Sequence, residues 1–342
     1  MAKHFASLAL TMSITLTGLL AVTFVVGRLL PGDPVISVVG DRATDELYQR
    51  VYLEMNLDRP LYEQFILFSD GILHGEFGRS LVTGNPIWDD VKRFFPATLE
   101  LASIAIVIGV ILGISLGVMC VRYRGRWQEH AGRFLSLFGH SVPIFWLGLV
   151  ALLVFYAKLG WVGGPGRIGI SYEYLVPDVT GLMLVDCLIA GEFEAFLNAV
   201  SHCILPASLL GLVATSYIAR MTRGFLLHQM GEHYVRVLRL KGLSLNRIIL
   251  FHALPNSAGA VLSVVAMTYA YLLEGAVLTE TVFAWPGIGT YITNSLFAAD
   301  VHAVLTATLL IGVIYLTLNL LVEWLQPLID PRITTRKGVK AW

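Results

Sequence analysis

Long apolar runs alternate with shorter polar stretches along the chain, and the runs have membrane dimensions. A helix needs about 20 predominantly apolar residues to cross ~30 Å of hydrocarbon. Six runs meet that length, at about 5–27, 97–121, 134–157, 199–220, 257–279 and 302–325. The first follows Lys3, as a signal peptide would. Its apolar run is too long for one, and "VVGRLLPGDP" offers no small-x-small cleavage site, so it reads as a retained span. In span two, Gly109, Gly113 and Gly117 fall on one helix face and predict close approach of another helix. Pro143 in span three and Pro206 near the start of span four each remove a backbone donor and predict kinks. Segment 31–96 reads as short helices split by Pro60 and Gly75, and 158–198 forms a second long non-membrane segment.

The charges orient these spans. Lys3, the group Arg122, Arg124, Arg126 and Arg133, the group from Arg220 to Arg247, and the tail residues Arg332, Arg336, Lys337 and Lys340 all fall on one side. The opposite loops hold acids such as Asp41, Asp45, Asp89, Asp90, Glu192 and Glu194, and 280–301 has no Lys or Arg. The positive-inside rule therefore puts both termini in the cytoplasm, and an even number of spans agrees with their sharing a side.

Composition agrees. The 342 residues are 56% hydrophobic and 14% charged, against about 25% charged in a soluble protein. Net charge is zero, which excludes a global nucleic-acid footprint. Cys120 lies in an apolar run and reads as a packing residue. Cys187 and Cys203 can share a compartment, and whether they pair depends on a distance that spacing does not give.

Catalytic chemistry is sparse. The sequence holds no GxxxxGK[ST] phosphate loop and no HExxH, and its nine histidines lack zinc-ligand spacing. No metal site and no enzyme are expected. "GPGRIG", Gly164–Gly169, fits GxGxxG, but it follows a membrane helix where the dinucleotide fingerprint needs a strand. Glu274 in span five is the clearest intramembrane ionisable group, with a cargo contact and a structural role both open. Glu100 and Glu323, near span ends, are expected to reach interfacial water.

The most basic stretch is "HYVRVLRLKGLSLNRIILFHALPN", 233–256. A helix from about 228 to 241 ends at Gly242, and Ser244 caps a second from Leu245. Arg236 and Arg239 share one face, Val235 and Leu238 another. The residues alone admit three readings: an amphipathic helix on anionic lipid, a topology anchor, or docking into a partner's groove.

The spacing from Gly242 to Leu254–Pro255 resembles the coupling loop of ATP-binding-cassette (ABC) importer permeases. Tyr234, Arg236, Arg239, Lys241 and Gly242 match the "Y-x-R-x-A-R-x-K-G" run of the dipeptide, oligopeptide and nickel group. The sequence departs from the general Glu-Ala-Ala pattern, with Arg236, Val237 and Leu238 at those positions. Further segments are similar to this family in order: "LLPGDP" at 29–34, "LDRPLYEQF" at 57–65, "HGEFGRSL" at 74–81, "PATLELA" at 96–102, "SVPIFWLG" at 141–148, "ILPASLLG" at 204–211, "GAVLTETVFAWPGIG" at 275–289 and "LIDPRI" at 328–333. Through "TGLMLVDCLIAGE" at 180–192 the dipeptide-permease B-type members look closest.

The resemblance implies an all-α membrane protein of six transmembrane helices, a type I ABC importer permease with an outer loop inserted between helices 1 and 2. Its parts would be an N-terminal span (1–30), an outer periplasmic subdomain (31–96), a transmembrane core (97–330) with its coupling loop at about 228–256, and a cytoplasmic tail (331–342). It would be a multi-pass protein of the bacterial inner membrane. Expected partners are a homologous second permease subunit, two cytoplasmic ATP-binding subunits carrying ATP and Mg, a periplasmic or lipid-anchored solute-binding protein, and membrane lipid. No cofactor is expected on this chain. Tyr234, Val235, Arg236, Leu238, Arg239, Lys241, Gly242, Leu243 and Pro255 would couple it to the ATPases, with Tyr234, Val235 and Leu238 as the buried anchor. Glu274, Glu280, Trp285, Pro286 and Gly287 would line the pathway or an outer gate, with a Pro286–Gly287 turn and Trp285 as interfacial anchor. A plain aromatic belt is the bland alternative for that segment. Peptides are the first cargo reading; nickel or another small solute is the second, and a secondary transporter the remote rival.

Overall fold

The computed structural model describes residues 2–29, 34–40, 43–298 and 300–329. Regular structure among them is helical, apart from one antiparallel bridge between Arg79 and Pro86. In chain order the helices are α1 (Ala2–Leu29), α2 (Pro34–Val39), α3 (Asp45–Glu54), α4 (Leu61–Leu73), α5 (Ile87–Arg122), α6 (Trp127–Ser141), α7 (Ile144–Ala151), α8 (Met183–Ala190), α9 (Phe193–Gly231), α10 (His233–Leu240), α11 (Leu245–Ile248), α12 (Leu254–Gly275), α13 (Val277–Val282), α14 (Ile288–Phe297) and α15 (Val301–Ile329). A π-helical stretch, Leu152–Lys158, prolongs α7, and another, Ile249–Ala253, joins α11 to α12. The chain divides into two compact units, Met1–Phe95 with Gly287–Thr317, and Pro96–Pro286 with Leu318–Trp342.

Three helices among the described residues are long and apolar enough to cross a bilayer: Ile87–Arg122, Phe193–Gly231 and Leu245–Gly275. The expected third span is a bent pair, α6 and prolonged α7, turned by 98° where Pro143 interrupts the ladder. The expected first and sixth spans fall on α1 and α15, whose described apolar stretches are Leu10–Val26 and Val301–Thr317. The predicted tail, 331–342, and the side chain of Glu323 lie outside the described residues. Two spans are longer than hydropathy suggested. Helix α5 starts ahead of Pro96 and carries it inside, and α9 carries a buried Pro206 and runs on past Arg220 and Arg223.

In the second unit α5 lies against α9 through the predicted glycine face. A Cβ on Gly113 would stand 2.8 Å from Ile218 Cβ, and one on Gly117 2.8 Å from Thr222 Cβ. Ala105, Leu210, Ala214 and Ile218 continue this seam into a core that includes Leu272, Ala276 and Trp285. Helices in lipid gain no hydrophobic energy from meeting, so close backbone approach is what holds them. Gly113→Val is therefore expected to destabilise the fold by about 1–3 kcal/mol through overpacking. A melting temperature in detergent equal to wild type would contradict this seam.

The first unit builds short helices on both sides of Pro60, as expected, and α4 ends just before Gly75. Thr44 caps α3 by accepting from the Leu47 amide, and Pro60 precedes α4. Phe24 of α1 packs on Phe65 and Phe68 of α4. The buried Asp300 carboxylate accepts from the Ser80 hydroxyl (2.8 Å), from the Leu81 and Val82 amides (2.5 and 3.4 Å) and from Ala303 N–H (3.1 Å). It thus caps α15 and ties down loop 80–82 at once.

Candidate functional site

The basic stretch folds as a helical hairpin, with two differences from the expected one. The first arm is not one helix from 228. Helix α9 runs to Gly231, Glu232 is extended (φ −70°, ψ 152°), and α10 starts afresh at His233. The second arm is no free surface helix, because α11 continues through the π-helical stretch into α12. Pro255 accounts for the widening: it lacks an N–H and its ring crowds the carbonyl four residues back, and a π turn relieves both.

The junction between the arms matches expectation. Gly242 has φ +77°, its N–H donates to Arg239 O (2.9 Å), and Leu243 N–H reaches back to Leu238 O (3.2 Å). This six-to-one closure needs a left-handed residue, which glycine supplies without strain. Ser244 Oγ accepts from Arg247 N–H (3.4 Å) and caps α11. The Tyr234 hydroxyl donates to Gln229 Oε1 (2.9 Å), tying α10 to the end of α9. Ile249 and Ala253 pack with Val121 and Leu226, so the hairpin base rests on the ends of α5 and α9.

Burial redistributes the predicted residues. Val235 is 1% exposed and packs inside the chain, which removes it from the expected docking anchor. Tyr234, Leu238 and Leu243 are half-buried, and Arg236, Arg239, Lys241 and Pro255 are exposed. On α10 the apolar groups turned outward are Val237 (50% exposed) and Leu240 (89%), neither of them among the expected anchors. An i, i+3 spacing on the side opposite Val235 was the available signal.

The 274–287 group separates. Glu274 is exposed on α12, whereas Glu280 and Trp285 are fully inside. Trp285 is therefore no interfacial anchor: its indole N–H donates to Ala97 O (2.9 Å). The reversal is not at Pro286–Gly287 but at Phe283–Ala284, where Ala284 takes φ +45° and Trp285 N–H closes onto Glu280 O (2.8 Å). Pro286 is exposed, and Gly287 is the extended residue before α14. The Thr98 hydroxyl donates to the Glu280 carboxylate.

Glu100 does not reach water. Its Oε2 accepts from Arg167 Nη2 (2.5 Å) and its Oε1 from Leu184 N–H (2.8 Å). Arg167 also donates to Gly181 O (3.0 Å), and its guanidinium lies 5.7 Å from the Trp285 ring centroid. The glycine-rich decoy thus contributes an arginine that pins loop 163–184 to α5. A second decoy, "GISLG" at Gly113–Gly117, has the letters of a nucleophile elbow, yet it lies mid-helix and Ser115 Oγ donates to Ile111 O (2.6 Å). All three cysteines are free and buried.

Several long apolar helices, a span broken at proline and a helical hairpin on the ends of two spans are the architecture of a multi-span membrane protein. Comparison with known proteins names the kind. The family described as "Binding-protein-dependent transport system inner membrane component" matches residues 105–335, and its N-terminal companion matches 1–102. The chain belongs to this family. It is 40% identical over 322 residues (94% of each chain) to the probable D,D-dipeptide transport system permease protein DdpB of Escherichia coli K12. It is 39% identical over 320 residues (93% of this chain, 95% of the other) to the di/tripeptide transport system permease protein DppB of Pseudomonas aeruginosa UCBPP-PA14. A chain of the MetNI methionine ABC transporter, solved in inward-facing conformations, shares the fold with TM-score 0.54 at 15% identity, covering 72% of this chain and 99% of that one. The protein is an inner membrane permease component with multiple membrane-spanning helices; its ATPase is a separate subunit, and membership implies a solute-binding protein as a further partner.

Proposed function

We propose that this chain is one half of the translocation pathway of an ATP-driven importer of di- and oligopeptides, with six spans and both termini in the cytoplasm of a bacterial cell. A homologous second permease subunit supplies the other half. Two ATPase subunits, which bind ATP and Mg, grip the 233–256 hairpin, and a solute-binding protein delivers cargo from the outside. The observation that carries this reading is the hairpin: a short helix locked at both ends, with Val235 holding it to the body and Val237 and Leu240 offered outward beside Arg236 and Arg239. An apolar ridge edged by arginines suits an acidic-rimmed groove on an ATPase. The peptide cargo follows the relatives' names. Glu274 is exposed on α12; in this reading it lines the pathway that the second half completes, where a peptide's ammonium group offers the counter-charge a carboxylate in a membrane needs.

ATP binding draws the ATPases together and the hairpins with them. Transport results because ATP and the loaded binding protein favour different states of the pore. Burial of Leu240 in the groove is worth about 1.5–3 kcal/mol, so Leu240→Asp is expected to weaken ATPase association at least about tenfold. Co-purification of the ATPases at wild-type yield from this variant would contradict the docking face. The reading as a whole is tested by purifying the tagged chain and assaying vanadate-sensitive ATPase activity in the preparation; a functional homo-oligomer without ATPases would sink it.

A further inference from the structure

Helix α9 carries the hairpin, and α6 is fastened to α9 at two points. At the first, Gly139 is buried against α9, where a Cβ would overlap Ser216 Oγ and stand 3.0 Å from Leu212 Cγ. At the second, Arg223 of α9 donates to the buried Glu129 carboxylate in the first turn of α6, with the arginine side chain 27% exposed. The other Glu129 oxygen accepts from Gly125 N–H (2.7 Å), which closes the loop leading into α6. Numbers rise along α6 as they fall along α9, so the helices are antiparallel, and the two fastenings lie about 15 Å apart along α6.

The partners of α6 lead onward. After the 98° bend α7 packs on α13, and a Cβ on Gly148 would stand 3.2 Å from both Val282 and Phe283. Phe283 opens the turn that carries Trp285. We propose that α6 and α7 form a bent lever driven by α9, and that the Arg223–Glu129 pair is the positioning link that carries hairpin movement to segment 277–285. This rests on the import reading, since the hairpin receives a push only from an ATPase. Small residues between helices in lipid let the backbones approach closely. A directional ion pair with a buried acceptor fixes register, and fixing geometry is the best-attested use of a desolvated pair. A contiguous element with two discrete positions carries coupling over such a distance.

The test uses the complete importer in proteoliposomes, with binding-protein-stimulated ATP hydrolysis and dipeptide uptake measured on the same preparation. Arg223→Gln is expected to keep hydrolysis within about twofold of wild type and to lower uptake per ATP about tenfold; Arg223→Lys, which keeps the charge, restores most of it. Unchanged uptake, or equal loss of hydrolysis and uptake, overturns the proposal. If Arg223→Gln does not assemble, spin labels on Leu137→Cys and Arg220→Cys in the otherwise wild-type chain decide. An α6–α9 distance unchanged between nucleotide-free and ATP-bound states supports the lever, and a shift of several ångströms overturns it. Failure of the import reading shows separately, as wild-type hydrolysis indifferent to the binding protein, and the spin-label distance still decides whether α6 follows α9.

Discussion

Gly242→Pro leaves the partner ATPases hydrolysing ATP while peptide uptake falls to background. Proline fixes φ near −65° and has no N–H, but residue 242 sits at φ +77° and donates to Arg239 O. The substitution undoes the closure of Leu243 N–H onto Leu238 O, so α10 loses its end and Val237 and Leu240 lose their fixed direction. Gly242→Ala provides the control. A Cβ there meets nothing within 4 Å, so its effect is conformational alone, about 1–2 kcal/mol for a left-handed L-residue, and a partial loss of uptake is expected. Normal import by Gly242→Pro would remove the hairpin from the coupling route.

The second large effect falls on folding. Glu100→Ala leaves the Arg167 guanidinium without its counter-charge, with only the Gly181 carbonyl as hydrogen-bond partner, and the Leu184 amide without its acceptor, in a site where the two ionic side chains are 11% and 6% exposed. Breaking a buried pair from one side costs about 3–5 kcal/mol, a large share of the 5–15 kcal/mol that typically holds a domain. The variant is expected to lose most folded protein and to melt markedly lower in detergent. Replacing both partners, Glu100→Met with Arg167→Met, removes both charges and is expected to recover much of the stability. A single variant as stable as wild type would show that the pair does not hold loop 163–184.

Spans two, four and five, the glycine seam, Pro60 at the start of α4, the break at Pro143 and the Gly242–Ser244 junction were legible because each rests on local chemistry: run length, a missing Cβ, a missing N–H, a left-handed residue, a cap. What sequence could not supply was partnership between distant residues. Glu100 looked bound for water because nothing local shows that Arg167, 67 positions on, turns back to meet it. Trp285 looked like a belt residue because aromatic side chains at a span end usually are, and its acceptor, Ala97 O, lies 188 positions away. Val235 and Val237 are equally apolar, and only the packing of α10 decides which faces in. Asp300 was invisible as a cap because three of its four donors come from loop 80–82.

The central claim is that ATP spent on a separate subunit enters this chain through the 233–256 hairpin and drives peptide import. It is tested most directly by labelled dipeptide accumulation in proteoliposomes holding the chain, its second permease subunit and the ATPases, with ATP inside and binding protein outside. Accumulation is predicted to require ATP and binding protein together, and to vanish in Gly242→Pro while hydrolysis continues. Dipeptide accumulation without the ATPases, or undiminished accumulation by Gly242→Pro, would contradict the account.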